Sequence, residues 1–431
     1  MRVLWICNIM LPAVARHLGQ EENVKEGWLT GLADRVLFHG NTNEIKLGVC
    51  FPVEGEKAGY KEKISVPAGG NKSVLYAYGF YEDTARPEKY DKRLEAAFTE
   101  IYKDFRPDVI HCFGTEYPHT LAAVKACKDR KKMLLGLQGI CFALADVYFA
   151  DLPKKVCRRF LFRDFLKQDN LKQQRNKFRK RGEMEKEALR LAKHVTGRTE
   201  WDKRTVQAVN SGLQYHFMNE TLRPAFYEGQ WSYEHCRPHS IFLSQGDYPI
   251  KGLHYMLRAL PEVLRFYPDA HVYVAGQSLV RYDTLKERLK ISSYGKYLLQ
   301  IIKKEKLEGK ITFLGKLNVE DMKKQYLLSH LFVCPSVLEN SPNSLGEAML
   351  LGVPCIAAAV GGIPSFFSDK DGILFQGSDP AALTEAILQM WKDPKQQARY
   401  SRHARTHALC NHDAEVNYHK LLKIYQNIYF N

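Results

Sequence analysis

Between Val333 and Pro364 the chain reads VCPSVLENSPNSLGEAMLLGVPCIAAAVGGIP, and no other stretch restricts the fold as much. The apolar run VCPS ends a buried strand, and the turn-rich ENSPNS leads into a short apolar helix, LGEAMLL. Gly352 supplies a helix stop with Pro354 just beyond it, and CIAAAV then forms a second strand closed by Gly361-Gly362. Strand, loop, helix and strand within about 30 residues make a βαβ unit. Glu339 and Glu347 bracket its loop: the first lies at the carboxyl end of a strand, the second in the first helical turn. Ligands of open α/β sheets bind at that edge. Ser344-x-x-Glu347 is also the spacing of a capping box, in which Glu347 does nothing but hold a helix end.

The bracket, with its flanking PS, EAM, G-x-P and VGG-x-P, resembles the E-x7-E signature of retaining glycosyltransferases of family 4. That resemblance implies that Glu339 contacts the donor sugar and that Glu347 holds the ribose hydroxyls. It places the loop and helix-start amides of Asn343, Ser344 and Leu345 against the donor diphosphate, where helix amides and dipole favour an anion. Gly315-Lys316-Leu317 resembles the turn whose backbone, at Gly315 and Leu317, reads the nucleobase. The family commonly sets an Arg and a Lys on the diphosphate after the first strand of this half. Lys251 stands in the Lys position and is expected to act with Glu339, but the Arg position reads Gly246.

The length of 431 residues exceeds one ordinary core, so two domains are expected. A net charge of +15 calls for an acidic partner such as nucleotide phosphates, a lipid phosphate, an anionic membrane or nucleic acid. The ten cysteines show no C-x-x-C pair, and Cys7, Cys112, Cys334 and Cys355 sit in apolar runs as free buried thiols do. A reducing compartment follows. VLWICNIML near the amino terminus imitates a signal peptide but contains Asn8 and suits the first strand of a Rossmann unit.

The amino-terminal half alternates strand and helix, with strands VLWICNI, IKLGVCF, VIHCFG and MLLGLQG. Helical spacing runs through Glu21 to Phe38, residues 84 to 105, and Pro118 to Arg130. Such alternation predicts a parallel, doubly wound sheet. The loop after the first strand lacks G-x-G-x-x-G, which argues against a dinucleotide cofactor. Family members often carry a Gly pair near there, and this chain offers only Gly27-Trp28. His111, Glu116, His119 and Gln138 fall at strand ends, as do Arg198, Thr199 and Glu200 after HVTG, where an acceptor or sugar side is expected. In the family, a His touching the donor sugar often occupies the place of Gln138. Each of these residues is equally readable as a loop or core hydrogen-bonding group.

Residues 151 to 193 change character, and 154 to 181 are the part expected to face an anionic membrane surface. Lys154, Lys155, Arg158, Arg159 and Arg163 surround Phe160, Leu161, Phe162, Phe165 and Leu166, and a second cluster of Lys177, Arg179, Lys180 and Arg181 brackets Phe178. Cations among aromatic and aliphatic residues suit an anionic membrane surface, a solvated helix face being the plainer alternative. No nucleic-acid motif accompanies them, so nucleic acid is not expected as a partner. Asp369-Lys370-Asp371 has the look of a metal-holding Asp-x-Asp but reads as a surface turn, and no metal or cofactor is expected.

The fold expected is α/β, of the GT-B architecture: two Rossmann-like, doubly wound parallel-sheet domains facing a central cleft. Residues 1–222 form the acceptor-side domain, 223–410 the nucleotide-sugar domain, and 411–431 a helix crossing back to the first. YPIKG, GRTEWD and NETLR resemble the bacterial branch that builds capsule, exopolysaccharide or O-antigen. The resemblance implies retaining transfer from a nucleotide-diphosphate sugar, a UDP-sugar in the first instance, to a glycan or polyprenyl-linked acceptor. It also implies a cytoplasmic protein, peripheral on the inner face of the plasma membrane. A GT-B nucleotide-sugar epimerase and a non-catalytic membrane or nucleic-acid-binding module are the rival readings.

Overall fold

The computed structural model describes residues 1–20, 27–39, 45–53, 59–68 and 71–430. The chain forms two compact units, one of 1–143, 177–223 and 411–431, the other of 144–176 and 224–410. Residues 144–176 therefore group with the second unit instead of with the expected 1–222 domain. Within that unit His254 Nε2 lies 3.0 Å from the Ala150 carbonyl oxygen, and the Tyr255 hydroxyl donates to the same oxygen at 2.9 Å.

The first unit carries β1 (Arg2–Ile6), β2 (Lys46–Val53), β3 (Lys61–Ala68), β4 (Asn71–Tyr81), β5 (Val109–Phe113), β6 (Met133–Gly136), β7 (His194–Gly197) and β8 (Gln214–Phe217). They lie in the order β3-β4-β2-β1-β5-β6-β7-β8. Every pair is parallel except β3 with β4. The central strands are near-continuous apolar runs because helices cover both faces of a parallel sheet. VLWI of β1 and all of β5 are buried accordingly. The segment that imitates a signal peptide is thus a central strand. The antiparallel β3–β4 pair escaped the sequence reading, although Ile64 and Val66 alternate with exposed Lys63, Ser65 and Pro67. The helix expected from residue 84 begins only at Arg93, after turns between Glu82 and Asp91. That expected from Glu21 is described as Gly27–His39, its first six residues lying outside the described set. Gly27-Trp28 opens it. The last helix, Ala414–Phe430, packs into this core, where the Trp5 indole donates to the Tyr425 hydroxyl at 2.9 Å.

The second unit has β9 (Arg237–Leu243), β10 (His271–Ala275), β11 (Ile311–Gly315), β12 (Ser329–Cys334), β13 (Cys355–Ala358) and β14 (Gly372–Phe375). Their order is β11-β10-β9-β12-β13-β14, all parallel. Strand order reverses between β9 and β12, so the loops leaving those two strands open a crevice at their carboxyl ends.

Candidate functional site

Lys251 leaves β9 and Glu339 leaves β12, which puts one on each side of that crevice. The two meet: Lys251 Nζ lies 2.6 Å from Glu339 Oε1. Ser336 Oγ donates to the same oxygen at 2.8 Å. Burial disfavours the Lys251 charge, but the Glu339 carboxylate and the Tyr248 hydroxyl beside it outweigh this and hold its pKa above the ordinary lysine range. An ammonium has three donors. One serves Glu339 and another the Tyr248 hydroxyl, which leaves the third for a second anion. Both contacts fall on Oε1 of Glu339, which leaves Oε2 to accept from hydroxyls.

The two loops are locked together by backbone. The Val337 amide donates to the Ile250 carbonyl at 2.8 Å, and the Gly362 amide donates to the Glu339 carbonyl at 2.9 Å. Gly252 sits at φ +73°, and a Cβ there would overlap the Pro335 carbonyl oxygen. At Gly361, φ is +53° and a Cβ would overlap the Glu339 carbonyl oxygen. Both positions need glycine, on conformation and on space.

The helix after this loop, Asn343–Leu351, ends at Gly352 in the left-handed conformation, as its sequence predicts. Its amino-terminal cap is Pro342, which makes no side-chain cap bond, and Ser344 lies inside the helix. The capping-box reading of Glu347 therefore fails: the helix starts one residue before Ser344, so the spacing falls out of phase with the cap. Glu347 lies one turn in and is buried. Leu345 is also otherwise occupied, with its side chain buried and its amide donating to the Pro342 carbonyl at 3.0 Å. Asn343 and Ser344, half-buried at the helix start, are the positions that can face an anion.

No room exists for an arginine at 246, since a Cβ there would lie 2.8 Å from Leu253 and 2.9 Å from Val274. A second cation comes instead from Lys316, which is exposed between half-buried Gly315 (φ +76°) and half-buried Leu317. Burial raises the Asp247 carboxyl pKa, and the charges of Lys251 and Lys316 both act to lower it, so the two cations share one neighbourhood. Asp247 and Lys316 were not singled out as charged site members in the sequence. Proximity across β9 and β11 gives them that role, and nothing in their spacing signals it.

In the first unit, three expected residues converge. Gln138 Nε2 donates to Glu220 Oε1 at 2.7 Å, and buried Arg198 pairs with the same carboxylate. Glu116 lies next to them: a Cβ on Gly114 would touch both Glu116 and Gln138. The Gly139 amide donates to Glu116 Oε1 at 2.7 Å, while the buried Oε2 is without a partner. Burial raises the Glu116 carboxyl pKa and pushes its neighbour Glu185 up to about 8, helped by the charge of Glu116. Glu185 can thus hold a proton near neutrality. Glu220 and Glu185 were missed because each is brought in by a distant element.

The other three lie elsewhere. His111 is fully buried within hydrogen-bonding distance of the Tyr425 hydroxyl (2.7 Å), and burial drives its pKa down to about 3, so it is a neutral core residue. His119 is buried against Glu82, with Nδ1 2.7 Å from Oε2 and the amide donating to Oε1 at 2.9 Å. Glu200 is exposed in the first turn of the helix Glu200–Gln207, which Thr199 caps. Asp371 is no surface residue. It is fully buried and lies 2.8 Å from His403 and 3.0 Å from His407, so it is a structural anchor. Among the described residues no group of three or more His, Cys, Asp or Glu is placed to hold a metal ion.

Two α/β units built on mainly parallel sheets, with the charged pair at the strand-order reversal, define the GT-B class of fold. Residues 237–407 match the family described as glycosyl transferases group 1. Sucrose-phosphate synthase from Thermosynechococcus elongatus superposes with a TM-score of 0.69 at 13% identity, over 100% of this chain and 99% of that one. Anabaena HepE in complex with UDP gives 0.63 at 14% identity, over 99% and 100%. In sequence, a GDP-mannose-dependent monoacylated alpha-(1-6)-phosphatidylinositol monomannoside mannosyltransferase of Corynebacterium glutamicum is 26% identical over 186 residues, 42% of this chain and 45% of that protein. An N-acetyl-alpha-D-glucosaminyl L-malate synthase of Bacillus anthracis is 30% identical over 134 residues, 31% and 34% respectively. The chain spans less than half the length of these sequence relatives.

Proposed function

We propose that the protein is a retaining glycosyltransferase that moves a sugar from a nucleotide-diphosphate sugar, a UDP-sugar, to a glycan or polyprenyl-linked acceptor in surface-polysaccharide synthesis. The observation that carries this reading is the Lys251–Glu339 pair at the reversal point, inside the segment that matches the group 1 family. Similarity in fold to HepE, solved with UDP and with UDP-glucose, supports the choice of base. As the anomeric carbon–oxygen bond breaks, its electron pair leaves with the nucleoside diphosphate. Lys251, Lys316 and the amides of Asn343 and Ser344 meet that negative charge, so no divalent cation is needed. Glu339 Oε2 orients the sugar hydroxyls and Glu347 the ribose. Glu116, Gln138 and Arg198 serve the acceptor side. The reaction takes place at the cytoplasmic face of the plasma membrane.

The test is to incubate the protein with a panel of nucleotide-sugars, with and without lipid-linked glycan, and to measure free nucleoside diphosphate and the anomer formed. Acceptor-dependent release with retained configuration is expected, undiminished by a chelator. Isomerised donor without net transfer supports an epimerase instead, and an inert donor supports a binding module.

A further inference from the structure

The basic, aromatic stretch divides on folding. Lys177, Arg179, Lys180 and Arg181 fall in the long helix Leu171–Leu191, on the part grouped with the first unit, where Arg181 Nε donates to the Glu116 carbonyl at 2.8 Å. Residues 154–167 belong to the second unit and form two short helices, Lys154–Cys157 and Phe162–Lys167. They are firmly anchored: Val156 and Asp164 are fully buried, and the Asp164 carboxylate accepts from the Leu161 amide at 2.8 Å. Ser293 Oγ also donates to the Arg159 carbonyl at 3.2 Å.

Anchoring nevertheless leaves Phe160, Phe162, Phe165 and Leu166 59–69% exposed. The helix Leu285–Lys290 packs against Phe162–Lys167 and exposes Leu285 and Leu289 as well. A lone exposed apolar residue needs no explanation, but six large ones from adjoining segments mark an interaction surface. Lys154, Lys155 and Arg158 flank it, all exposed.

Between these helices lies a cavity of about 610 Å³ that reaches Asp247 and Tyr248, next to Lys251. Arg163, Lys167, Arg281, Lys286 and Lys290 line it, against the carboxylates Asp169, Asp247 and Glu287. Asp169 is already gripped by Arg163 through both guanidinium nitrogens, at 2.8 and 2.5 Å. Glu287 accepts from the Asp283 and Thr284 amides. Five cations thus face three carboxylates. The cavity therefore keeps an excess of positive charge under an apolar rim.

We infer that this face of the second unit docks on an anionic bilayer, its aromatic and leucine side chains entering the acyl boundary and the cavity cations taking a phosphate headgroup. The inference narrows the membrane partner proposed above to one surface, and rests on that reading only for the lipid nature of the acceptor. Apolar groups with flanking lysines suit an interfacial bilayer site, in which each cation near an anionic leaflet adds attraction.

Co-sedimentation of the full chain with vesicles of phosphatidylcholine, alone and mixed with phosphatidylglycerol, tests it. The wild type is expected to bind the anionic vesicles selectively and less so at high salt. Lys286→Glu with Lys290→Glu is expected to weaken that binding by about tenfold or more. Phe165→Ser with Leu166→Ser is expected to weaken it severalfold while leaving the salt dependence intact. Thermal unfolding and nucleoside diphosphate affinity, measured on the same preparations, are expected to be unchanged in both variants. Equal binding by wild type and variants, or no preference for anionic vesicles, overturns the inference. So does a concentration-dependent dimer that Phe165→Ser with Leu166→Ser abolishes, since the occupant is then a second copy. Vesicle binding by a wild type that binds no nucleotide supports the docking surface and retires the transferase reading alone.

Discussion

Lys251 and Glu339 share a contact of 2.6 Å, so substituting either one alters the other. Lys251→Ala removes a charge-assisted contact to phosphate, a contribution of about 1.5–3 kcal/mol, and nucleotide-sugar affinity should fall about tenfold or more. Glu339→Gln releases the ammonium from its carboxylate. Affinity for free nucleoside diphosphate should then rise, by roughly threefold or more, while turnover drops. Calorimetric titration checks both, and parallel losses in the two variants would show that the pair is structural. Gly252→Ala forces a left-handed backbone and a carbonyl overlap on a non-glycine residue, and should cost about 2 kcal/mol or more in urea unfolding. Glu339 and Glu347 could be singled out because one continuous motif holds them, and Lys251 because of the family resemblance. Lys316, Asp247 and Glu220 were not, because their roles come from neighbours many residues away that only the folded sheets bring close.

The helix Asn343–Leu351 is steadied from behind by the helix Pro394–Asn411. Ser401 Oγ donates to the Gly352 carbonyl at 2.6 Å, and Arg405 donates to the Leu350 carbonyl. Carbonyls that a helix end leaves without partners are thereby satisfied. The second helix is itself pinned through Asp371. Burial works against that carboxylate, but hydrogen bonds from His407, His403 and Ser368 outweigh it and bring its pKa down to about 2. The Asp371 bond raises the His407 pKa in turn, against a smaller effect of burial. A raised histidine pKa gives stability that is complete below its unfolded value, about 6.5, and is lost as pH climbs through the folded one. The depressed carboxylate gives stability that is lost as pH falls below about 4. The difference in melting temperature between wild type and Asp371→Asn should therefore be largest near pH 5 to 6 and narrow on both sides. A difference that keeps growing above pH 8 contradicts this pairing. Parallel strands were readable here because burial on both faces makes them continuous apolar runs. The β3–β4 pair was not, because in β3 apolar residues alternate with polar ones instead of forming a continuous run, and β3 is an edge strand.

Each unit is a doubly wound sheet, and the chain crosses between units more than once. The βα alternation foretold parallel sheets, and the family resemblance a last helix placed with the first. Neither foretold that 144–176 groups with the second unit, because no composition break marks the residues at which its contacts change partner. No helix among the described residues is long and apolar enough to cross a membrane. The net charge of +15 instead fits partners that carry phosphate. The proposed donor site and the apolar, basic face of the second unit both call for such a partner, but only the proposed donor site depends on Glu347. Titration calorimetry with UDP and GDP on wild type and Glu347→Gln tests that dependence most directly. Gln keeps the shape of the side chain and removes the anionic acceptor proposed for the ribose hydroxyls. The wild type should bind one of the two diphosphates, and the variant should bind it about tenfold or more weakly with little change in melting temperature. Binding of neither by the wild type, or equal affinity in the variant, contradicts a nucleotide-sugar site at this helix.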